Sequence, residues 1–226
     1  MNTSVIIPVY NEEETVFETV TQIKKTLPQK GIEIIAVNDG STDNSLKKLK
    51  KIKGIKIISH KENRGYGSSI KTGIKAAKGR TIITIDADGT YPEYEITRLL
   101  SYSKYFDMVI GARIKGAKEP WLRKPAKKML CLLTSLLVKK WVPDINSGLR
   151  AFSRAKAKKF MKLYPDRFSF STTTTICFLM NKYKVKFLPI EYHKRAGKSQ
   201  IKPTDFIKFA ALIIKIFSIT RKSRIK

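Results

Sequence analysis

The chain has 226 residues, 42% of them hydrophobic, which is enough for one domain with a full core and excludes a wholly disordered protein. Its formal net charge is +28 and is unevenly placed: residues 1–110 carry 13 acids and 17 bases, a net of +4, and residues 111–226 carry 5 and 29, a net of +24. A near-neutral half joined to a strongly basic half points to two tasks, the second directed at a polyanion such as a membrane surface, a lipid phosphate or a nucleic acid.

In chain order, Ser4–Val9 is a short β-rich apolar run, and Glu12–Leu27 has Val16, Val20, Ile23 and Leu27 at helical spacing. Ile32–Val37 reads as a buried strand ending in the turn Asn38-Asp39-Gly40-Ser41, with Ser41 or Thr42 capping a helix to about Ile52. Ile55–Ser59 is a third strand. Gly65–Ala77 is a glycine-rich turn opening a helix. Arg80–Ile85 is a fourth strand and ends on Asp86. A helix over Pro92–Tyr102 and a strand over Phe106–Ile110 complete the first half. In the second half, Ala126–Val142 is predicted helical, with Met129, Leu132, Leu133, Leu136 and Leu137 on one face and lysines at both ends. A strand over Ser147–Phe152, helices over Ala155–Leu163 and Ser171–Asn181, and a strand over Val185–Ile190 follow. After a polar loop, His193–Lys202, the helix Pro203–Ser218 has only a narrow polar stripe through Thr204, Lys208, Ala211, Lys215 and Ser218.

Short apolar strands separated by helices imply an α/β fold, a mostly parallel sheet with helices on both faces, whose ligands lie at the carboxyl ends of the strands. Three polar clusters fall at those ends: Tyr10-Asn11-Glu12, Asn38-Asp39-Gly40 and Asp86-Ala87-Asp88. Residues i and i+2 at a strand end face the same space, so Asp86 and Asp88 repel unless a cation sits beside them; Mg²⁺ or Mn²⁺ with a diphosphate supplies one. The bland alternative is a pair of solvated turn acids before Gly89. Asp39 either accepts from a base or ribose or forms an Asx turn, a role that suits Asp43 better. Gly65-Tyr66-Gly67-Ser68-Ser69 completes neither a dinucleotide fingerprint nor a P-loop, and a tight turn with a serine cap is at least as good a reading. Arg113, Arg150, Arg195 and Lys198 stand in polar stretches near Gly or Ser, where a guanidinium fork or an ammonium suits phosphate. His60 and His193 are isolated and read as polar or packing residues. Cys131 and Cys177 lie in apolar runs and read as buried thiols. The N-terminus has no charged n-region or cleavage site, and no run reaches the roughly 18 consecutive apolar residues of a membrane span. A cytoplasmic protein, peripheral on the cytoplasmic face of a membrane, is expected.

The runs SVIIPVYNEEETV, VNDGSTDNS, NRGYGSSIKTGIKAAKG and ITIDADGTYP resemble the family 2 glycosyltransferases of GT-A fold. DINSGLRAF and YHKRAGKSQIKPTDF are similar to the dolichol-phosphate mannosyltransferase-like branch, which moves a sugar from a nucleotide donor to a polyprenyl phosphate. The resemblance runs from about Ser4 to about Phe206. It implies that Pro8, Tyr10, Glu12 and Asp39 hold the nucleoside and that Asp86 and Asp88 manage the metal and diphosphate, Asp88 being the more direct ligand. It also implies that Arg113 and Arg195, with Lys198 and Ser199, meet phosphates. Some members carry a metal-binding glutamine two places after the second aspartate; here that place is Thr90.

The expected reaction is inverting transfer of a hexose or N-acetylhexosamine from a GDP- or UDP-sugar to a polyprenyl phosphate, whose already ionised oxygen needs no strong general base. On this reading residues 1–202 form the catalytic domain, a nucleotide-sugar half over 1–110 and an acceptor half over 111–202. The helix Ala126–Val142 is then either a membrane-interface element or packed on core or a partner subunit, and the amphipathic C-terminal helix over 203–226 is a membrane-interface element, since anionic lipid attracts each nearby Lys or Arg by about 1 kcal/mol. Its apolar arc would otherwise meet a membrane-protein partner or a second copy. Two other readings stand beside this one: a soluble glycan or protein acceptor, and a basic nucleic-acid-binding module, which would leave the aspartate pair unexplained.

Overall fold

The structure is a computed structural model and describes residues 2–27, 30–115, 124–167, 169–193 and 205–223. Strands and helices alternate through the first half: β1 (Thr3–Val9), α1 (Val16–Thr26), β2 (Ile32–Asp39), α2 (Ser45–Lys50), β3 (Lys56–His60), α3 (Tyr66–Ala76), β4 (Thr81–Thr84), α4 (Tyr94–Tyr102) and β5 (Met108–Lys115). The second half adds α5 (Lys124–Val138), β6 (Arg150–Ser153), α6 (Arg154–Lys158), α7 (Phe170–Met180), β7 (Val185–Glu191) and α8 (Asp205–Ser223). The strands form one seven-stranded sheet in the order β3-β2-β1-β4-β6-β5-β7, in which β6 alone runs antiparallel to its neighbours.

The apolar runs of the strands are explained by burial on both faces. In β1, Val5, Ile7 and Val9 point to one face and Ile6 to the other. The first face packs against α1, α2 and α4 through Val16, Val20, Ile23, Leu49, Ile96 and Leu99. The second packs against α3 and α7, with α5 and α8 behind, through Ile70, Ile74, Ile176 and Phe178. Both cysteines are buried in this second layer.

Several expected details change. Ser41 and Thr42 do not cap α2; their hydroxyls bond Asn11, and Asp43 caps instead, its Oδ1 accepting from Ser45 N at 2.9 Å. Helix α5 ends at Val138, not Val142, because Lys139 turns into the left-handed region at φ 52°. Its expected single apolar face is two faces: Leu130, Cys131 and Thr134 are buried against the domain, whereas Met129, Leu132 and Leu136 are exposed. Helix α8 lies on α7 and α5 and buries Ile213 and Ile216 of the expected apolar arc, whereas Ile214 is exposed. Among the described residues no helix is long and apolar enough to cross a membrane.

Candidate active site

β1 lies between β2 and β4, so the chain leaves it to opposite sides, and an open α/β sheet has its crevice at such a switch point. The β1–β2 ladder runs on to Val9↔Asn38, but the β1–β4 ladder stops at Ile6↔Thr84. Pro8, which has no N–H to donate, stands just beyond that last pair, where the sheet parts. Because β6 is antiparallel, it begins where β4 ends: Arg150 pairs with Thr84, and Thr84 Oγ1 donates to Gly148 O at 2.6 Å. The rim therefore gathers Tyr10, Asp39, Asp86, Asp88, Gly148 and, from the end of β5, Arg113.

Asp86 is half-buried against the backbone of residue 148, where a β-carbon would stand 2.4 Å from its Oδ2 and 2.7 Å from its Oδ1. Two phenols share its surroundings. Burial, reinforced by the negative charge of Asp86, pushes Tyr66 well above the ordinary tyrosine range. Burial does the same for Tyr91, with Arg113 opposing and Asp86 adding to the rise. Both phenols stay neutral, and the Tyr91 hydroxyl accepts from Gly148 N at 2.8 Å. Asp88 is buried and fixed by its neighbour: its Oδ1 accepts from Thr90 Oγ1 at 2.6 Å and Thr90 N at 3.1 Å. The hydroxyl of Thr90, which stands at the place of that glutamine, is thus turned onto Asp88.

Two carboxylates at one strand end, one backed by a glycine and one oriented by a threonine, are hard oxygen donors of the kind Mg²⁺ and Mn²⁺ take. Among the described residues no group of three or more His, Cys, Asp or Glu side chains could hold a metal. A cation at the aspartate pair would share its shell with oxygens of a bound diphosphate, so the residues present fit the pairing of metal and diphosphate.

At the end of β2, Asp39 is tied into the protein more firmly than the sequence suggests. His60 Nδ1 lies 2.6 Å from Asp39 Oδ1, Arg64 N donates to Oδ1 at 3.0 Å and Gly65 N to Oδ2 at 2.7 Å. The other ring nitrogen of His60 lies 2.9 Å from Thr72 Oγ1. Asp39 therefore anchors the glycine-rich turn to the end of β2. That turn carries no serine cap. Its glycines let the chain approach residues 165–167: a β-carbon at Gly67 would stand 2.1 Å from Pro165 O, and Ser68 N donates to Asp166 O at 2.8 Å. The β1 and β2 loops are laced together, since Asn11 bonds Thr42 and Glu12 N donates to Ser45 Oγ at 2.8 Å.

The arginines divide. Arg113 stands on β5, beside a register shift, and its guanidinium grips the buried Asp144, Nε to Oδ2 at 2.7 Å and Nη2 to Oδ1 at 2.9 Å. It also lies 5.3 Å from the centroid of Tyr192, which packs edge-on against Tyr91. Arg150 departs from its expected loop setting. It opens β6, is fully buried, and spends its donors on Ser147 O, Ser171 O and Thr175 Oγ1, so its guanidinium braces β6 against α7. Arg195, Lys198 and Ser199 lie outside the described residues. Sequence reasoning did not single out Asp144, Tyr91 or Gly148. The signal that could have found them is the run Asp144-Ile145-Asn146-Ser147-Gly148, which puts a carboxylate and a glycine in one turn.

Residues 4–182 match the model of Glycosyl transferase family 2. The chain is 34% identical to an uncharacterized protein of Methanocaldococcus jannaschii, over 94% of this chain and 92% of that one. It is 37% identical to undecaprenyl-phosphate 4-deoxy-4-formamido-L-arabinose transferase of Proteus mirabilis, over 67% of this chain and 48% of that protein, so it spans about half the length of this relative. Glucosyl-3-phosphoglycerate synthase of Mycobacterium tuberculosis, solved with Mn²⁺, UDP and phosphoglyceric acid, has the same fold, with a TM-score of 0.73 at 16% identity over 97% of this chain and 78% of that one.

Proposed function

This chain belongs to glycosyl transferase family 2 and is a glycosyltransferase, and from that premise we propose that it moves a hexose or N-acetylhexosamine from a UDP- or GDP-sugar to a polyprenyl phosphate. The observation that carries the donor half is the pair Asp86 and Asp88 just past the end of β4, where the β1–β4 ladder has stopped and Gly148 backs Asp86. The acceptor half is supported by the Proteus mirabilis relative, named for transfer involving undecaprenyl phosphate, and by the +24 charge of residues 111–226. Such an acceptor brings the enzyme to a membrane surface as a peripheral protein, on the cytoplasmic face where nucleotide sugars are present.

In the reaction, an acceptor phosphate oxygen forms a bond to the anomeric carbon as the bond from that carbon to the donor diphosphate breaks, with inversion. The phosphate is already ionised near neutral pH, so no side chain has to remove a proton. What the chain supplies is position and charge. Tyr10, Glu12 and the turn organised by Asp39 receive the nucleoside. Asp86 and Asp88 would hold Mg²⁺ or Mn²⁺, which would supply positive charge against the departing diphosphate. Arg113, fixed by Asp144, keeps a positive charge at the rim beside β5. Arg195, Lys198 and Ser199 are the proposed further phosphate contacts. Arg150 serves as a brace for β6 and not as an acceptor contact.

The test is one incubation of purified protein with Mg²⁺ or Mn²⁺, polyprenyl phosphate in detergent, and a panel of UDP- and GDP-sugars, read by product mass. A lipid-linked monosaccharide is expected from one donor. Transfer only to soluble glycans or proteins, with none to polyprenyl phosphate, overturns the acceptor assignment.

A further inference from the structure

A second cleft, of about 680 Å³, opens between the C-terminal ends of α5 and α7 and the side of α8. It is far from the aspartate pair. Helix α7 begins beside the site, where Ser171 O accepts from Arg150, and its 11 residues carry the chain away to Met180, which lines the cleft; that is about 16 Å at the rise of an α-helix. The walls are apolar: Leu137, Leu179, Met180 and Phe217. The rim is basic: Lys139, Lys140 and Lys182.

Two of those lysines occupy costly backbone. Lys139 (φ 52°) follows the end of α5, and Lys182 (φ 57°) follows the end of α7. A left-handed residue just past a helix end is ordinarily glycine, because a β-carbon is strained there. Both turns place lysine where glycine would be easier, and both lysines face one cleft.

The cleft continues into an exposed stripe. Lys128, Met129, Leu132 and Leu136 recur at helical spacing on the outer face of α5, and the exposed Lys139 and Lys140 follow its end. Leu136 is 69% exposed, and Trp141, next along the chain, is 70% exposed. No aspartate or glutamate occurs in residues 124–143 or 206–226. Aliphatic side chains ringed by lysine, with a tryptophan at the edge, suit the boundary between lipid headgroups and acyl chains.

We propose that this face docks on an anionic bilayer: the α5 stripe enters the interface, and the cleft takes an acyl chain of an anionic phospholipid whose phosphate meets Lys139, Lys140 and Lys182. A second copy of this chain would bring the same lysines together, which like-charge repulsion opposes. The surface stands apart from the acceptor reading, since it concerns bulk lipid and not the sugar acceptor.

The test is flotation of the full chain with vesicles of phosphatidylcholine alone and of phosphatidylcholine with phosphatidylglycerol, neither containing polyprenyl phosphate. Binding to the anionic vesicles and little to the neutral ones is expected. The double variant Lys139→Gly, Lys182→Gly relieves two strained turns, so its Tm should rise, while its vesicle affinity should fall on the order of tenfold or more with two lysines removed. Leu132→Glu with Leu136→Glu, both at exposed positions, should abolish flotation. Equal binding to neutral vesicles overturns the proposal, as does wild-type flotation of the glycine variant. So does a dimer that the glutamate variant converts to monomer without loss of flotation, since a second copy would then be the occupant. Turnover of detergent-solubilised polyprenyl phosphate without flotation overturns the docking surface alone, and flotation without such turnover overturns the acceptor assignment alone.

Discussion

Gly148 and Asp86 meet across the seam between β4 and β6, so closely that a β-carbon on residue 148 would stand 2.4 Å from the carboxylate. The antiparallel insertion of β6 thus has a direct effect at the rim: it delivers a bare stretch of backbone against which the Asp86 carboxylate is set. Gly148→Ala should force Asp86 to a new rotamer. A misplacement of about 1 Å can cost on the order of a hundredfold in rate, so transfer should fall by at least that much while the far-ultraviolet spectrum is retained. Turnover within a factor of a few of wild type would show that the position of Asp86 is immaterial.

Thr90 offers a finer probe of the same site. Its hydroxyl and its N–H both donate to Asp88 Oδ1, and Thr90→Val removes only the hydroxyl. Residues that orient metal ligands are worth roughly 10–100-fold in metal affinity. The Mn²⁺ or Mg²⁺ concentration for half-maximal activity should rise by about tenfold, with kcat at saturating metal little changed. Thr90→Ser should restore the wild-type value. An unchanged metal titration in the valine variant would refute the orienting role.

The pairing of Arg113 with Asp144 separates stability from activity. Asp144 is almost fully buried and the Arg113 side chain largely so. Asp144→Ala removes the buried carboxylate that the Arg113 guanidinium grips and should lower the unfolding free energy by about 3–5 kcal/mol in urea titrations. Arg113→Met with Asp144→Leu removes both charges and should recover most of that loss, since apolar replacements of buried pairs are often neutral. The double variant should still transfer sugar poorly, because the cation at the rim is gone. Full activity in it would make the pair purely structural.

Acid should loosen the far half of the sheet. Burial alone would raise Asp107, but its contacts with Lys156 and the N–H of Lys184 outweigh that and hold its carboxyl below the usual aspartate value of 3.8. A carboxylate with a depressed folded-state pKa gives stability that is fully present above 3.8 and is lost as pH falls through the folded-state value. The Tm of wild type should therefore drop more steeply below pH 3.8 than that of Asp107→Asn, which carries no such linkage. Parallel Tm curves for the two proteins would show that Asp107 contributes nothing to acid sensitivity.

The first half of the fold was legible because its signals are local. Runs such as Ile32–Val37 and Arg80–Ile85 are apolar on both faces, as strands covered on both sides must be, and polar turn residues mark where each stops. A carboxylate directly after such a run lies on the rim whatever the order of strands, so Asp86, Asp88 and Asp39 could be placed near one another without coordinates. Helix α5 was harder. Its period showed that Met129, Leu132 and Leu136 share a face, but that face is the outer one, and the inner face is made by Leu130, Cys131 and Thr134. Periodicity records that residues lie together and does not record what they meet.

The sequence by itself determined the alternating α/β plan, the polar strand ends and the aspartate pair, since each depends on residues a few positions apart. Only the tertiary structure decided the partners. Arg113 meets Asp144 across 31 positions and His60 meets Asp39 across 21, and both contacts exist because the sheet order makes neighbours of distant segments. Arg150 shows the same division. Its place two residues after a glycine suggested a loop and a phosphate, but the antiparallel entry of β6 turns it inward, where carbonyls of Ser147 and Ser171 take the donors that a phosphate would have used.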